Sequence, residues 1–458
     1  MDQLPFELLH WICNSFHDTK DIQNFRLVNK TFAAVGAEHL LPDVHFFLHE
    51  DSFKRMKAIS EHPIISQHVV SLFYEADIYD DLMMGFVEWE SHVDLRSYVD
   101  LDYAYVPDAN NDERAKRHER RMVEKFNRTP RHQLSKAELR KHYHIYQSLW
   151  QQQKRLQETD QDLAFITDAM KHFPRLRSVV MSFGFWYRTR SEAVERAFKE
   201  GLCYLPGDSP YNGWTEGTRQ LKVLLEASLL SDTKLEAVFA GSISWQFFRL
   251  DEDIMTKMIS ACTSLTTLNL MLSTGRDEDG DELGVEASWC RDFMRSGVLR
   301  SFLECFPNLR HLEISFDVSD GPNDCFPARL GDVIGDDYVW PNLKGLVLGH
   351  LDDASETQIL DILKRHRSSL RHFGIDAMAL NPGSSWSSLL SKIRDVVQLK
   401  SACICGSIST VDAMGLPKEA WNITPLDIAA RDEERKKLED FVLNGGECPL
   451  KPDNMDFR

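Results

Sequence analysis

Residues 309–314 read LRHLEI, a leucine followed three residues later by a leucine-x-isoleucine pair. Strand alternation puts the last two apolar residues on one face of a β-strand, so the pattern predicts a strand with one buried side. The same leucine-x-x-apolar-x-apolar pattern returns along the chain. Clear copies are LRSVVM (176–181), LEAVFA (235–240), LTTLNL (265–270), LKGLVL (343–348) and LRHFGI (370–375); LKSACI (399–404) is weaker, and VVSLFY (69–74) and LPDVHF (41–46) are degenerate earlier copies.

The spacing of these copies predicts a repeat fold. From the copy at 235 to the copy at 399, successive starts lie between 27 residues (343 to 370) and 44 residues (265 to 309) apart. Amphipathic windows fill the gaps, and the one at 355–366 opens with a capping pair, Ser355 and Gln358. A strand and a helix in each unit is typical of leucine-rich repeats, whose strands form a curved parallel sheet with helices on the convex side. The alternative is an unrelated α/β fold with leucine-rich strands.

Two segments interrupt the repeats, and a third closes the chain. The first, 76–160, is polar; its second half predicts a helix that begins with the capping box Ser135–Glu138 and puts Leu139, Tyr143, Tyr146 and Trp150 on one face. The second is the charged loop 274–286. At the end, TPLDIAA (424–430) is interpreted as the start of a capping helix with Leu438, Phe441 and Val442 inside. The predicted divisions are 1–42, 43–75 (first β/α unit), 76–160, 161–412 (repeat solenoid) and 413–458 (cap and tail).

The stretch LPFELLHWICNSF (4–16) is unusually apolar. Glu7, Pro5 and the missing cleavage site argue against a signal peptide. Three short helices are predicted here: the first carries Leu8, Leu9, Ile12 and Phe16, Asp18 or Thr19 caps the second, and Asn29 caps the third. About forty residues are too few to bury a good core alone. We therefore expect another surface to cover these helices.

Composition and motifs disfavour several classes of function. The net charge of −18 disfavours nucleic-acid binding, and the basic run at 114–121 is interpreted as an exposed helix. No window reaches the roughly 18 apolar residues of a membrane span. Nine scattered cysteines without a C-x-x-C pair indicate reduced thiols in the cytosol or nucleus.

Motifs for chemistry are missing as well. Asp277, Asp279 and Asp281 alternate, but the loop lacks the glycine and glutamate positions of a calcium-binding EF-hand. No nucleophile elbow, zinc-protease helix, phosphate loop or dinucleotide turn occurs. We expect no catalysis and no cofactor, although a dispersed triad among the 17 histidines stays open.

The N-terminal stretch resembles an F-box. The matching elements, in order, are Leu4-Pro5, Leu8-Leu9, Ile12, Asp21-Ile22, Arg26-Leu27-Val28-Asn29-Lys30 and Phe32. The sequence departs from the pattern at Phe32, where tryptophan is common, and at Phe25, where a smaller residue is usual. An F-box followed by irregular leucine-rich repeats is similar to the substrate receptors of cullin-RING ubiquitin ligases. The HPIIS segment (62–66) and the LNGGECPL tail (443–450) resemble the large fungal set of these proteins.

This resemblance implies two contact surfaces. The adaptor that joins F-box proteins to the cullin would contact Leu4, Pro5, Leu8, Leu9, Ile12, Leu27 and Val28, although some of the apolar positions could serve mainly to hold the helices together. A target protein would contact the concave face of the sheet, where alternation places Val180, Phe239, Asn269, Glu313, Val347 and Gly374. Three of these are apolar, so either the target or the helical insertion is expected to cover them. A scaffold that recruits without degradation is the alternative function.

Overall fold

The computed structural model describes residues 4–16, 19–79, 82–99, 134–182, 197, 201–202, 217–274, 283–316, 326–412, 417–423 and 432–451. Several sequence predictions lie outside these residues. They are the cap at Asp18, the basic run at 114–121, the acidic loop at 275–282 and the TPLDIAA segment at 424–430.

The strands of the described chain form one sheet of ten, ordered as they occur in the sequence. Neighbours from β1 to β9 run parallel, and β10 runs antiparallel to β9. The strands are β1 (Asp43–Phe47), β2 (Ser71–Glu75), β3 (Ser178–Ser182), β4 (Ala237–Ser244), β5 (Thr267–Ser273), β6 (His311–Phe316), β7 (Gly345–Ala354), β8 (His372–Leu380), β9 (Ser401–Val411) and β10 (Pro417–Ile423).

The register of the sheet follows the leucine pattern. The fourth residue of all nine sequence copies falls in one row of paired residues, from Val44 and Leu72 through Leu312 to Ala402. In LRHLEI, Leu309, Leu312 and Ile314 are all buried in the main core. The predicted strands and their phase are confirmed, including the two degenerate copies at the start. The chain is a mixed α/β solenoid with a mostly parallel sheet.

Helices connect the strands, and single turns of 3-10 helix lie at Ile65–His68 and Trp245–Arg249. The helices are α1 (Phe6–Asn14), α2 (Thr19–Arg26), α3 (Lys30–Glu38), α4 (Glu50–Ser60), α5 (Phe86–Val99), α6 (Lys136–Glu158), α7 (Gln161–Lys171), α8 (Thr218–Leu230), α9 (Glu252–Ala261), α10 (Leu283–Met294), α11 (Val298–Glu304), α12 (Leu330–Val333), α13 (Glu356–Arg365), α14 (Trp386–Val396) and α15 (Asp432–Asn444). Helix α13 buries Ile359, Ile362 and Leu363, and its cap Ser355 accepts a hydrogen bond from the Gln358 N–H at 3.0 Å, as the sequence predicts. Most connecting helices thus pack on the convex face of the sheet and share one core with it.

The end of the solenoid differs from the expectation of a helical cap alone. Strand β10 pairs with β9 from Pro417 opposite Val411 to Ile423 opposite Gly406, and Gly406 has a φ of +72° that favours glycine. Helix α15 then buries Leu438, Phe441 and Val442 against the last repeat, which confirms the predicted capping helix. An antiparallel strand and a helix together close an edge that would otherwise be open to further pairing.

Much of the insertion between β2 and β3 packs on the opposite face of the sheet from the main core, although Leu156 near the end of α6 belongs to that core. Helices α5 and α6 form a second apolar cluster with Phe47 and Tyr79, whereas the neighbouring Phe46 belongs to the main core. Because successive strand residues point to opposite faces, Phe47 brings this cluster to the concave side of β1. The capping box is present: Ser135 N–H donates to Glu138 Oε2 at 2.8 Å, and Glu138 N–H donates to Ser135 Oγ at 3.3 Å.

The first 40 residues contain the three short helices that the sequence predicts. Asn29 caps α3, its Oδ1 accepting from the Phe32 N–H at 3.0 Å. Their small core, separate from the other two, consists of Leu9, Cys13, Phe25, Phe32 and Val35, with Ile12 and Phe16 packed against it. The division of the chain at residues 42, 75, 160 and 412 stays a prediction.

Candidate partner-binding surfaces

Helix α1 has two apolar faces, and only one of them is covered. Leu9 and Cys13 point into the small helical core, where each is 1% exposed. Leu8 and Trp11 lie three residues apart on another face of the helix, and Leu4 directly precedes the helix cap; Leu4, Leu8 and Trp11 are 40%, 43% and 75% exposed. A second apolar face on a helix is normally covered by a further surface. The uncovered face of α1 therefore fits a second surface that the chain does not supply in its described part.

The turn that follows α2 adds to this exposed apolar material. Leu27 is 83% exposed and Val28 is 55% exposed, although both are preceded by the buried Phe25. Phe6, the first residue of α1, is 46% exposed. Its ring makes an edge contact with the His10 ring, with the two ring centroids 4.7 Å apart. We define the N-terminal apolar surface as Leu4, Phe6, Leu8, Trp11, Leu27 and Val28.

The structure separates the residues that the resemblance assigned to adaptor contact. Leu4, Pro5, Leu8, Leu27 and Val28 are exposed, as contact residues must be. The prediction for Leu9 does not fit its placement, because the side chain is buried and holds α1 to the other helices. Ile12 is half-buried against the same core. Trp11 was missed by the sequence analysis, although its spacing of three residues from Leu8 puts the two on one face of α1.

A polar cluster ties the three helices to the first repeat. His10 Nδ1 lies 2.8 Å from His39 Nε2, and the Glu38 carboxylate lies 4.0 Å from His10 Nε2 and 3.7 Å from His68 Nδ1. Burial and then the neighbouring His10 lower the pKa of His39. Since His68 belongs to the turn before β2, these contacts link α1 and α3 to the solenoid, with the apolar surface left outward.

The concave face carries the second predicted surface. Val180, Phe239, Asn269, Glu313 and Val347 pair in one continuous row across β3 to β7, each beside the next. All five are half-buried, and Gly374 continues the row on β8. Their common alignment, which the sequence phase predicts, is therefore confirmed. Contact with a target at these residues stays a prediction.

The row changes character along its length. It is apolar at Val180 and Phe239 and becomes polar at Asn269 and Glu313, whose side chains hydrogen-bond. Burial raises the pKa of the Glu313 carboxyl, and the hydrogen bond from Asn269 offsets part of that rise. The half-buried Glu313 carboxylate, beside Val347, can accept a hydrogen bond from a polar group that docks on this face.

The insertion covers part of the concave side at the first strand. Phe47 packs with Tyr146 and Leu139 of α6, and the Tyr79 N–H donates to Gln153 Oε1 at 2.8 Å. Arg155 of α6 forms an ion pair with Glu50, at the start of α4. The sequence left open whether the insertion or a target covers the concave face. The insertion does so at β1, while the five predicted target residues keep part of their surface free.

The described ranges give no sign of a metal centre or a membrane anchor. Within them, no three histidine, cysteine or acidic side chains are arranged to hold a metal ion. Nor does any helix found there combine the length and apolar character needed to cross a bilayer.

Comparisons with known proteins do not identify a family for the chain. No family model matches it, and no curated protein matches it either. Among solved structures, it is similar to the leucine-rich repeat-containing protein LegL7 from Legionella pneumophila, at 12% identity over 89% of this chain and 100% of that chain, with a TM-score of 0.29. Because that TM-score is low, the description as a leucine-rich-repeat-like solenoid rests on the register of the chain's own strands.

Proposed function

We propose that this chain is the non-catalytic substrate-recognition subunit of a cullin-RING ubiquitin ligase of the F-box type. In this proposal the N-terminal helices bind the cullin adaptor in the cytosol or nucleus, and the repeat surface recruits a target protein. The contribution to ubiquitin transfer is proximity, because the target is held near a charged enzyme carried elsewhere in the complex.

The N-terminal apolar surface is the observation that carries the proposal. Its side chains would lower their free energy by about 25 cal/mol for each Å² that a partner removes from water. Exposed leucines and aromatics on one face of a helix are typical of a helix that docks in an apolar groove. The F-box pattern contributes the nature of the partner, since it includes four of the six residues of this surface, Leu4, Leu8, Leu27 and Val28.

The arrangement of the two surfaces also supports the proposal. The three helices form their own small core and are tied to the first repeat through Glu38 and His68. The apolar row with Val180 and Phe239 lies on a different part of the chain, so an adaptor and a target need not compete for the same residues. A receptor that joins two proteins needs this separation.

Affinity capture of the purified adaptor by the full chain tests the proposal. The variant Leu8→Asp with Leu27→Asp places charge on two exposed residues of the N-terminal apolar surface. We expect it to lose at least about 30-fold in affinity, because central contact residues each contribute about 2 kcal/mol or more. The matched control is Leu230→Asp with Val339→Asp, which charges two exposed apolar residues of the solenoid and should bind as wild type does.

Degradation requires a second measurement. If the protein recruits targets for ubiquitination, the cullin and RING subunits should co-purify with the wild-type chain, and deletion of the protein should raise the level of a captured target. Capture of the adaptor without either effect would favour the scaffold that recruits without degradation. Failure of the wild-type chain to bind the adaptor would reject both.

A further inference from the structure

Four cationic residues occupy the same position at the amino ends of four neighbouring strands. Arg310, Lys344, Arg371 and Lys400 each directly precede a strand, in β6 to β9. Backbone hydrogen bonds connect them in series: Lys344 N–H to Arg310 O at 2.7 Å, Arg371 N–H to Lys344 O at 2.8 Å, and Lys400 N–H to Arg371 O at 2.6 Å. They therefore form a row, here called the basic ladder, with one cation for each strand spacing of about 4.8 Å and a length of about 14 Å.

The charge of the basic ladder is not compensated by the described chain. Arg310, Lys344 and Lys400 are exposed, and within the described ranges none of the four cations forms an ion pair. The Arg371 guanidinium donates to the carbonyl oxygens of Leu370 at 2.6 Å and Ser368 at 2.9 Å, which leaves its charge in place. The segments that lead into these four strands, 305–310, 334–344, 366–371 and 397–400, are all described. Glu304, Asp336 and Asp337 lie in or beside these segments, and Glu439 Oε1 accepts from the Ala402 N–H at 3.3 Å, two residues after Lys400. None of these carboxylates forms an ion pair with the ladder in the described chain.

Two histidines lie beside the basic ladder, at the start of the concave face. His311 and His372 follow Arg310 and Arg371 and flank Gly345, and the His311 ring lies directly over that glycine: a Cβ there would be 2.7 Å from its Nδ1. Both rings are exposed. Burial lowers the pKa of His311, and the positive charges of His372, Lys344 and Arg310 lower it further. The lowered pKa of His311 thus agrees with a positive electrostatic potential at this edge.

The ladder is a local feature. At the same position, the earlier strands carry Val70, Arg177, Glu236 and Thr266, so no run of cations forms there. The chain as a whole has a net charge of −18. A compact positive edge on a strongly acidic protein will attract an anion that is short enough to stay on that edge.

We infer that the basic ladder is a docking surface for an acidic segment of a partner protein, which lies extended along the amino edge of β6 to β9. An extended chain advances about 3.3 Å for each residue, so four or five residues span the ladder. Nucleic acid is the poorer fit, because its long row of phosphates would extend past the ladder onto an acidic surface. The identification of this partner as the ubiquitination target rests on the proposed function, whereas the binding of the acidic segment does not.

A labelled peptide of five Asp-Ser repeats, with five Asn-Ser repeats as the neutral control, tests the inference by fluorescence anisotropy with the full chain. We expect the acidic peptide alone to bind, with an affinity that falls as salt rises. Lys344→Glu with Lys400→Glu should weaken binding about tenfold, because the change removes two ion pairs and replaces attraction by repulsion. Arg177→Glu with Lys234→Glu makes the same change in net charge outside the ladder and should weaken binding less than about threefold.

Three results would overturn the inference. They are no binding of the acidic peptide at about 1 mM, an equal loss in both double variants, or tighter binding of a single-stranded oligothymidylate that the ladder variant abolishes. Melting temperatures of both variants, measured in parallel, show that the fold is retained. Because adaptor capture by the ladder variant should equal that of wild type, failure of the adaptor contact and failure of peptide docking are distinguished.

Discussion

The N-terminal helices and the solenoid use apolar residues for different ends. In the solenoid, the leucine positions of LRHLEI and its equivalents are buried by helices of the same chain. In contrast, six of the fifteen large apolar side chains exposed in the described chain lie between residues 4 and 28. Scattered exposed leucines are ordinary on a protein surface, but a cluster next to a small core is not. The difference teaches that the solenoid completes its own core, while the helices leave a face for a partner.

The largest effect is expected when the same charge is placed on a core residue of α1 and, separately, on its exposed neighbour. Leu9→Asp puts a charge into the small helical core, and we expect a cost of more than about 3 kcal/mol, enough to unfold α1 to α3. Leu8→Asp puts the same charge one residue earlier, on the exposed face, and should leave the helices folded. Hydrogen exchange over residues 6–38 measures both. Equal loss of protection in the two variants would contradict the assignment of separate faces.

A substitution in the core of the solenoid tests the other half of the comparison. Leu312→Ala removes a fully buried side chain from β6 and should destabilise the solenoid by about 2–5 kcal/mol, because it leaves a cavity in a packed core. Adaptor binding should be unchanged at temperatures where the variant is folded, since the N-terminal apolar surface is separate. Denaturant unfolding and adaptor titration of the same sample check the two statements. A loss of adaptor affinity would show that the two regions are coupled.

A smaller effect is expected at His366, the buried residue that directly follows α13. His366 Nε2 accepts from the Trp340 N–H at 3.1 Å, so Nδ1 carries the proton and donates to Ile362 O at 2.8 Å. His366→Ala leaves the Trp340 N–H unsatisfied and should cost about 1–3 kcal/mol at pH 7.5.

Acid should reduce that difference. Burial lowers the pKa of His366 below its ordinary value of 6.5. The stability that the neutral ring contributes is therefore present above pH 6.5 and is lost as the pH falls through the lowered pKa of the folded protein. The difference between wild type and His366→Ala should therefore shrink from pH 7.5 towards pH 5. The exposed His172, changed to alanine, serves as the control. A difference that does not change with pH would contradict the neutral, buried state of His366.

The smallest effect is expected on the concave face. Burial raises the pKa of Glu313, so its charged form is disfavoured in the folded protein at neutral pH. Glu313→Gln keeps a hydrogen-bonding partner for Asn269 without the charge and should raise the melting temperature at pH 7.5 by about 1 °C. The gain should vanish as pH falls and the wild-type carboxyl becomes protonated. A lower melting temperature for the variant at pH 7.5 would show that the charge is favourable, as it would be beside a cation.

Much of the solenoid could be predicted from the sequence because its strands repeat one local pattern. The leucine phase specifies which residues of LRHLEI are buried, and the structure follows it even in the degenerate copies at 41–46 and 69–74. Strand β10 was missed because an antiparallel end strand has no leucine pattern of its own. The basic ladder was missed for another reason: Arg310, Lys344 and Lys400 become neighbours only through the register of strands separated by unequal connections.

The sequence could predict the three N-terminal helices but not which side chains of α1 face inward. The sequence pattern marks Leu8 and Leu9 as a pair, but adjacent helix residues point about 100° apart, so one faces inward and the other outward. Which of the two is buried depends on how α1 packs against Phe25 and Phe32, and a local pattern does not contain that packing. The same geometry shows Trp11 to be part of the exposed face.

Titration calorimetry of the purified cullin adaptor into the full wild-type chain tests the central claim most directly. The account predicts saturable 1:1 binding with a negative change in heat capacity, the mark of apolar burial, and loss of both in the variant with Leu8→Asp and Leu27→Asp. Absence of binding by the folded wild-type chain, or equal binding by that variant, would contradict it.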